Sequence, residues 1–225
     1  MNPLIVKALP GFIRRLVVVS LCLFLAAGSL DFWEAWLFLP VFFIPNLLVG
    51  IYLLRNDPDL LQRRLKGGPS AETRISQKVI ILLMGLSSIL LMIVSGLDHR
   101  FDWSHVPALL VIAADVAILL GLWIQFRVFK ANTFASIIVT IVPQQKVIST
   151  GPYAVVRHPM YSGVLVVDFF APIALGSWWG LLFALARLVV IILRLLDEEK
   201  LLRQDLSGYE EYCRKVQYRL IPHLW

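Results

Sequence analysis

An all-α membrane protein, a polytopic bundle of about six spans, is the fold class that three observations predict. The chain is 59% apolar and only 16% charged, with a mean hydropathy of +0.78, against roughly 45–50% and 25% in soluble domains. Its apolar residues gather into long runs separated by short polar segments, the pattern of helices that satisfy their own backbone polar groups in lipid. Its basic residues flank those runs, which accounts for the net charge of +6 as membrane topology rather than nucleic-acid binding. The length of 225 residues suits one compact bundle.

The first span is expected from about Leu16 to Leu30, and can gain length by starting near Phe12, after a short basic start with Lys7, Arg14 and Arg15. It leads directly into a second span with no clear cleavage site, so it does not read as a removable signal. Asp31 and Glu34 mark a tight acidic turn, with Trp33 and Trp36 placed as interfacial anchors. The second span, about Ala35 to Leu54, carries Pro40 and Pro45, which predicts a kink. In the basic segment Arg55 to Lys78, Pro58 can start a short helix, DLLQRRL, that Gly67–Gly68–Pro69 would end. Arg63, Arg64 and Lys66 then either lie against anionic head groups or belong to a solvated loop.

The third span is about Val79 to Leu97 and the fourth about Val106 to Phe129. A long amphipathic connection, Lys130 to Thr150, precedes the fifth and sixth spans at about Met160 to Leu175 and Trp178 to Leu196. Gly176–Ser177 joins these two, and Pro172 should bend the fifth. In the polar tail, Ser207 and Glu210 form an S-x-x-E capping box expected to restart a helix through Tyr209, Tyr212 and Val216. The chain thus divides into a transmembrane scaffold, 1–130, and a motif-bearing region, 131–225.

Orientation follows from the basic residues. The N-terminal segment, Arg55–Lys78, Arg127–Arg157 and Arg194–Arg219 hold 19 of the 21 Lys and Arg; the others are Arg100 and Arg187. The positive-inside rule puts both termini and both long loops in the cytoplasm. Cys22 and Cys213 fall on different segments, so neither a disulfide nor a metal site is expected.

Two stretches of polar residues face that side. On the last span, Arg187 and Arg194 are seven residues apart and lie within about 20° of one another, with Glu198 four beyond. Charge inside a membrane costs a few kcal/mol per group, which makes this stripe a candidate site; its plain alternative is a snorkelling Arg paired with a Glu at a helix end. Asp197 flanks the stripe and Glu199 points well away from it. Upstream, GPYAVVRHPMY places Pro159 at a helix N1 position and His158 and Tyr161 around the first turn. Free N–H groups there favour an anionic ligand group, and Arg157 adds a donor. The plain alternative is an interfacial aromatic and basic belt. Asp115, mid-span, and Asp168, about half a span into the fifth helix, are further candidates, and either can be neutral or pair with Arg187.

GPYxxVRHPMYxG, a charged R-x-x-x-E-E run about thirty residues later, and the ending YxxYxxxVxYRLIPxxW resemble the isoprenylcysteine carboxyl methyltransferase family. This family is related to the membrane phospholipid N-methyltransferases. The resemblance covers about Asn132 to the C-terminus, and more loosely DPDLLQRRL and DHRFDWSHVP. It implies an integral membrane enzyme using S-adenosyl-L-methionine without a G-x-G-x-x-G fingerprint, which this chain lacks. Carried over by position, the cofactor contacts are Gln145, Lys146, Val147, Ile148, Tyr153, His158, Pro159, Met160, Tyr161 and Glu198. Gln145 stands where the eukaryotic members have a histidine. Arg194 matches the substrate side, and Arg194 and Glu198 are the residues implied to carry catalysis. Glu199 matches the motif, with a supporting role by its helical phase.

Methyl transfer from a sulfonium needs alignment and exclusion of water more than covalent help. By the resemblance, Glu198 would receive the cofactor's ammonium and the His158 turn its carboxylate. Arg194 can orient a carboxylate acceptor, which needs no base; an amine acceptor would need a nearby Tyr or Glu. The partners expected are a lipophilic or lipid-modified substrate and the lipids of a bacterial-type inner membrane. The alternatives are an NADPH-dependent membrane reductase of the sterol-reductase type and a non-catalytic membrane protein or transporter, although no internal repeat is visible.

Overall fold

The computed structural model describes residues 3–67, 72, 74–138 and 145–225, and among these every regular element is a helix. Four of them are long and apolar enough to cross a membrane: α1 (Pro3–Ala27), α2 (Trp33–Asn56), α4 (Ile75–Phe101) and α5 (Ala108–Ala131). The short helix α3 (Pro58–Leu65) lies between α2 and α4. A 3-10 turn, Gly151–Ala154, precedes the hairpin of α6 (Pro159–Ala174) and α7 (Leu181–Asp205), and α8 (Tyr209–Lys215) lies in the tail.

The first helix starts well before the expected Leu16, because Lys7, Arg14 and Arg15 are themselves helical. Long basic side chains can keep their charges in water while their stems cover apolar surface. The helix stops at Gly28, whose φ of +65° only a residue without Cβ adopts freely. The turn is then fixed from outside: the His99 ring stacks on Phe32 at 4.1 Å and its Nε2 lies 2.9 Å from the Asp31 carbonyl. Helix α2 runs unbroken through Pro40 and Pro45.

Helix α3 forms as the sequence predicts. Pro58 occupies the start, and the Asp57 carboxylate caps it by accepting from the Leu60 N–H at 3.0 Å. It neither lies free on the lipid surface nor in a solvated loop, because Leu60 and Leu61 are buried against Leu53 and Phe129. Arg63 donates to the Thr133 carbonyl at 2.6 Å, and the Arg64 guanidinium sits 4.4 Å from the Phe129 ring centre. Lys66 alone of the three is exposed. Gly68 and Pro69 lie outside the described residues.

Helices α5 and α6 cross with their backbones in close approach. A Cβ built on Gly121 would stand 2.8 Å from the Gly163 carbonyl oxygen, and one on Gly163 equally 2.8 Å from that of Gly121. Small residues let two backbones touch where lipid provides no hydrophobic drive. Helix α6 has 16 residues, about 24 Å at 1.5 Å per residue. Within α7, Arg187 and Arg194 interrupt the apolar run. These two helices are the hairpin expected for the fifth and sixth spans. At its turn, the Ser177 hydroxyl donates to Asp98, which also accepts from Ser104 at 2.8 Å.

Arg187 joins three helices inside the bundle. Its Nε lies 2.9 Å from Asp168 Oδ2, and its Nη1 donates to the Met84 carbonyl at 2.6 Å and to the Ser88 hydroxyl. Asp168 therefore has the partner considered for it. Asp115 is 4% exposed, with neither carboxylate oxygen hydrogen-bonded among the described residues.

The basic segments gather at one end of the bundle. Leu4, Leu53, Leu60, Ala135 and Met160 share one apolar cluster there, and Arg74 reaches Asp197 at 2.6 Å. Residues 28–32, 98–104 and 175–180 meet at the other end. In the tail the expected capping box does not form. Gly208, at φ +83°, is the residue before α8 and no side chain caps it. Glu210 consequently falls one position too early to answer Ser207. The helix is held instead by burial of Tyr209, Tyr212, Cys213 and Val216.

Candidate functional site at the basic end of the bundle

The site begins with the turn that admits α6. Gly151, at φ +60°, opens the 3-10 turn GPYA, and Pro159 takes the first helical position as the sequence predicts. The missing proline N–H is an orphan at that position in any helix, so it costs nothing there. The backbone before it is clamped by the tail: the Arg157 and His158 N–H groups each donate at 2.9 Å, to the carbonyls of Tyr218 and Arg219. The Ser162 hydroxyl donates to the Leu220 carbonyl at 2.6 Å.

Three of the candidates meet through one hydroxyl. Arg194 Nε donates to Tyr161 Oη at 3.0 Å, and Tyr161 donates to Glu198 Oε2 at 2.5 Å. Arg194 Nη2 donates to the Ile137 carbonyl and lies 3.9 Å from Glu72 Oε1. Its Nη1 is buried with no hydrogen-bond partner among the described residues. The stripe read from the sequence holds at Arg194 and Glu198, while Arg187 is committed to Asp168.

Tyr153 accepts at its hydroxyl from Asn132 Nδ2 at 2.8 Å, and its carbonyl accepts from Tyr212 Oη at 2.7 Å. Burial, which outweighs the Asn132 hydrogen bond, pushes its phenol up to about 12, and the Glu198 charge adds to the rise. Val147 packs with Tyr153 against the tail cluster of Tyr209 and Tyr212, whose phenols burial also raises. Met160 packs against Leu53, Leu60 and Phe129. Gln145 and Ile148 are half-buried and Lys146 is exposed.

The partners of Glu199, expected only in a supporting role, are what sequence reasoning missed. The carboxylate is 4% exposed. Its Oε1 lies 2.8 Å from Arg157 Nε and 3.3 Å from His158 Nε2, and its Oε2 accepts from Arg219 Nε at 3.0 Å. Burial alone would raise its pKa; the hydrogen bonds and charges of His158, Arg219 and Arg157 win and hold it down at about 2. His158 thus turns to Glu199, not Glu198. Helical phase correctly separates Glu199 from Glu198, but what Glu199 faces is the turn and the tail. The available signal was Arg157 directly before His158, and Arg219 in the tail.

Asp197, on the flank of the stripe, ties α7 to the start of α4. It accepts from Arg74 at 2.6 Å and from Gln77. The whole arrangement offers a carboxylate, Glu198, for a cationic group. The first-turn N–H groups of α6 suit an anionic one, and the Arg194 guanidinium has donor capacity left over. That donor set fits the amino-acid end of S-adenosyl-L-methionine.

Residues 109–207 match the family described as phospholipid methyltransferase. The matched segment runs from the first turn of α5 to just past α7, taking in Tyr153, the His158 turn, Arg194, Glu198 and Glu199. Over this segment the match agrees with the resemblance to the related isoprenylcysteine carboxyl methyltransferases drawn from the motifs. Together with four apolar helices of spanning length, the match supports a membrane methyltransferase.

Proposed function

We propose, from the phospholipid methyltransferase match over 109–207, that this protein transfers a methyl group from S-adenosyl-L-methionine to a lipophilic acceptor. The reaction takes place at the cytoplasmic face of the membrane. The carrying observation is the chain Arg194–Tyr161–Glu198, which sets a cation and an anion on either side of one hydroxyl at the basic end of the bundle. By the positive-inside rule that end is cytoplasmic.

S-adenosyl-L-methionine, when bound, supplies an electrophilic sulfonium methyl and departs as a neutral thioether. Glu198 holds its ammonium group. The first-turn N–H groups after Pro159, in the His158–Tyr161 turn, hold its carboxylate. Tyr153, Met160 and the 145–148 segment (Gln145, Lys146, Val147 and Ile148) line the pocket. Val147 and Met160, each packed into a buried cluster, help exclude water.

The acceptor favoured is a carboxylate on a prenylcysteine-like or other lipophilic molecule. A buried guanidinium N–H without a partner is costly, and Arg194 Nη1 has none among the described residues. An anionic oxygen bound there is oriented for in-line attack and requires no proton removal. The acceptor oxygen gains the methyl, and the positive charge of the sulfonium disappears with the anion.

Calorimetry on the detergent-purified protein tests the reading, with wild type beside Glu198→Ala. Micromolar S-adenosyl-L-methionine binding that the variant loses is expected. A folded wild type that binds none sinks the reading, and NADPH would be titrated next. Labelled methyl transfer into carboxylate-bearing and amine-bearing lipids then separates the acceptor classes.

A further inference from the structure

Glu199 has no part in the chemistry above, yet three side-chain donors converge on its carboxylate. Two donors reach it from the turn before α6, Arg157 and His158, and one from the tail, Arg219. All three arrive on a side chain that is 4% exposed. The same two partners are also sewn together by backbone: Arg157 and His158 donate to Tyr218 and Arg219. Arg219 further stacks its guanidinium 5.0 Å from the Trp225 ring centre. The tail segment that is held this way lies beyond the residues matched to the family, which end at 207.

We propose that Glu199 is a positioning residue: it locks the tail onto the His158–Tyr161 turn and fixes the His158 ring, and so sets the affinity of the cofactor site. This rests on the methyltransferase reading. The mechanism is geometric. Residue 158 immediately precedes the turn whose N–H groups face the ligand. A ring held through Nε2 by a carboxylate carries its proton at Nε2 and has one orientation. A glutamine at 199 keeps the volume but offers one acceptor oxygen to three donors, and it turns an NH2 against at least one of them. The cost of that mismatch falls on the turn.

The test uses the full chain in detergent, with S-adenosyl-L-methionine calorimetry and 15N-histidine spectra recorded without cofactor. Glu199→Gln should stay folded, weaken binding about tenfold and shift the His158 ring signal away from the Nε2-protonated pattern. Arg219→Gln should weaken binding by a smaller factor, about threefold, and add little to Glu199→Gln in the double variant. A folded Glu199→Gln with wild-type affinity overturns the proposal, as does full additivity of the two changes. Should Glu199→Gln fail to fold, Arg219→Gln carries the test, and unchanged affinity with an unchanged His158 signal overturns it. A wild type that binds no cofactor fails the methyltransferase reading instead; the His158 signal then decides alone whether Glu199 orders the turn, and no change between the two proteins overturns it.

Discussion

Tyr161 donates a 2.5 Å hydrogen bond to Glu198. Through the same oxygen it accepts one of 3.0 Å from Arg194. Arg194 and Glu198 are four residues apart on α7, the spacing at which a direct ion pair would form on one helix face. The pair is bridged instead by a hydroxyl from the neighbouring helix, which leaves each charge with capacity to spare. A self-satisfied ion pair would close the site; a bridged one keeps it open to a zwitterion on one side and an anion on the other.

Tyr161→Phe should therefore act on binding, not on folding. It keeps the ring and removes only the bridge, leaving the buried Arg194 and the half-buried Glu198 each short of a hydrogen bond. A bond to a charged group is worth about 1.5–3 kcal/mol, so S-adenosyl-L-methionine affinity should fall by at least about tenfold with a cooperative thermal transition retained. Unchanged affinity would take Tyr161 out of the site.

The helices were legible because apolar run length and basic flanks are enforced by the bilayer itself. Arg194 and Glu198 were legible because a period of 3.6 puts them on one face. What lay out of reach depended on tertiary partners. Glu199 was assigned away from the stripe correctly, but nothing in its own helix says that Arg219, 20 residues on, comes back to meet it. The failed Ser207–Glu210 capping box shows the reverse error, since a local pattern was overruled by Gly208 taking a left-handed conformation. Likewise the charges of α3 allow a lipid-facing patch or a solvated loop, and nothing local says that Arg63 bonds to Thr133.

The Arg187–Asp168 contact should be structural. Arg187 binds α4 to α7 and Asp168 brings in α6. Removing one member leaves the other inside the bundle without its counter-charge, a loss of about 3–5 kcal/mol in buried pairs. Arg187→Leu or Asp168→Leu should lower the melting temperature markedly in detergent, and the double variant should be less damaged than the sum of the two. Single variants that melt like wild type would show the pair to be dispensable.

Acid should weaken the fold through Glu199. Its pKa in the folded state is about 2, below the ordinary 4.5, so the folded protein holds fewer protons than the unfolded chain in that window. The resulting stabilisation is complete above pH 4.5 and disappears as the pH falls toward 2. The stability gap between wild type and Glu199→Gln should accordingly shrink across that interval. A gap constant from neutral pH down to the acid limit would mean that the carboxylate charge contributes nothing.

The α5–α6 crossing should be intolerant of a single methyl group. A Cβ at Gly121 would meet the Gly163 carbonyl oxygen at 2.8 Å and Val167 Cγ2 at 2.9 Å. One at Gly163 would meet the Gly121 carbonyl at 2.8 Å and Gln125 Cγ at 2.9 Å. Because the obstacles include backbone, relief requires the helices to separate, at a cost of about 1–3 kcal/mol for each substitution. The same separation moves Asn132, at the end of α5, relative to Pro159, at the start of α6, so cofactor affinity should fall along with the melting temperature. Once one methyl has pushed the helices apart the second finds room, and Gly121→Ala with Gly163→Ala should cost less than the two singles together. Full additivity in the melting experiment would show that the two glycines do not share one contact.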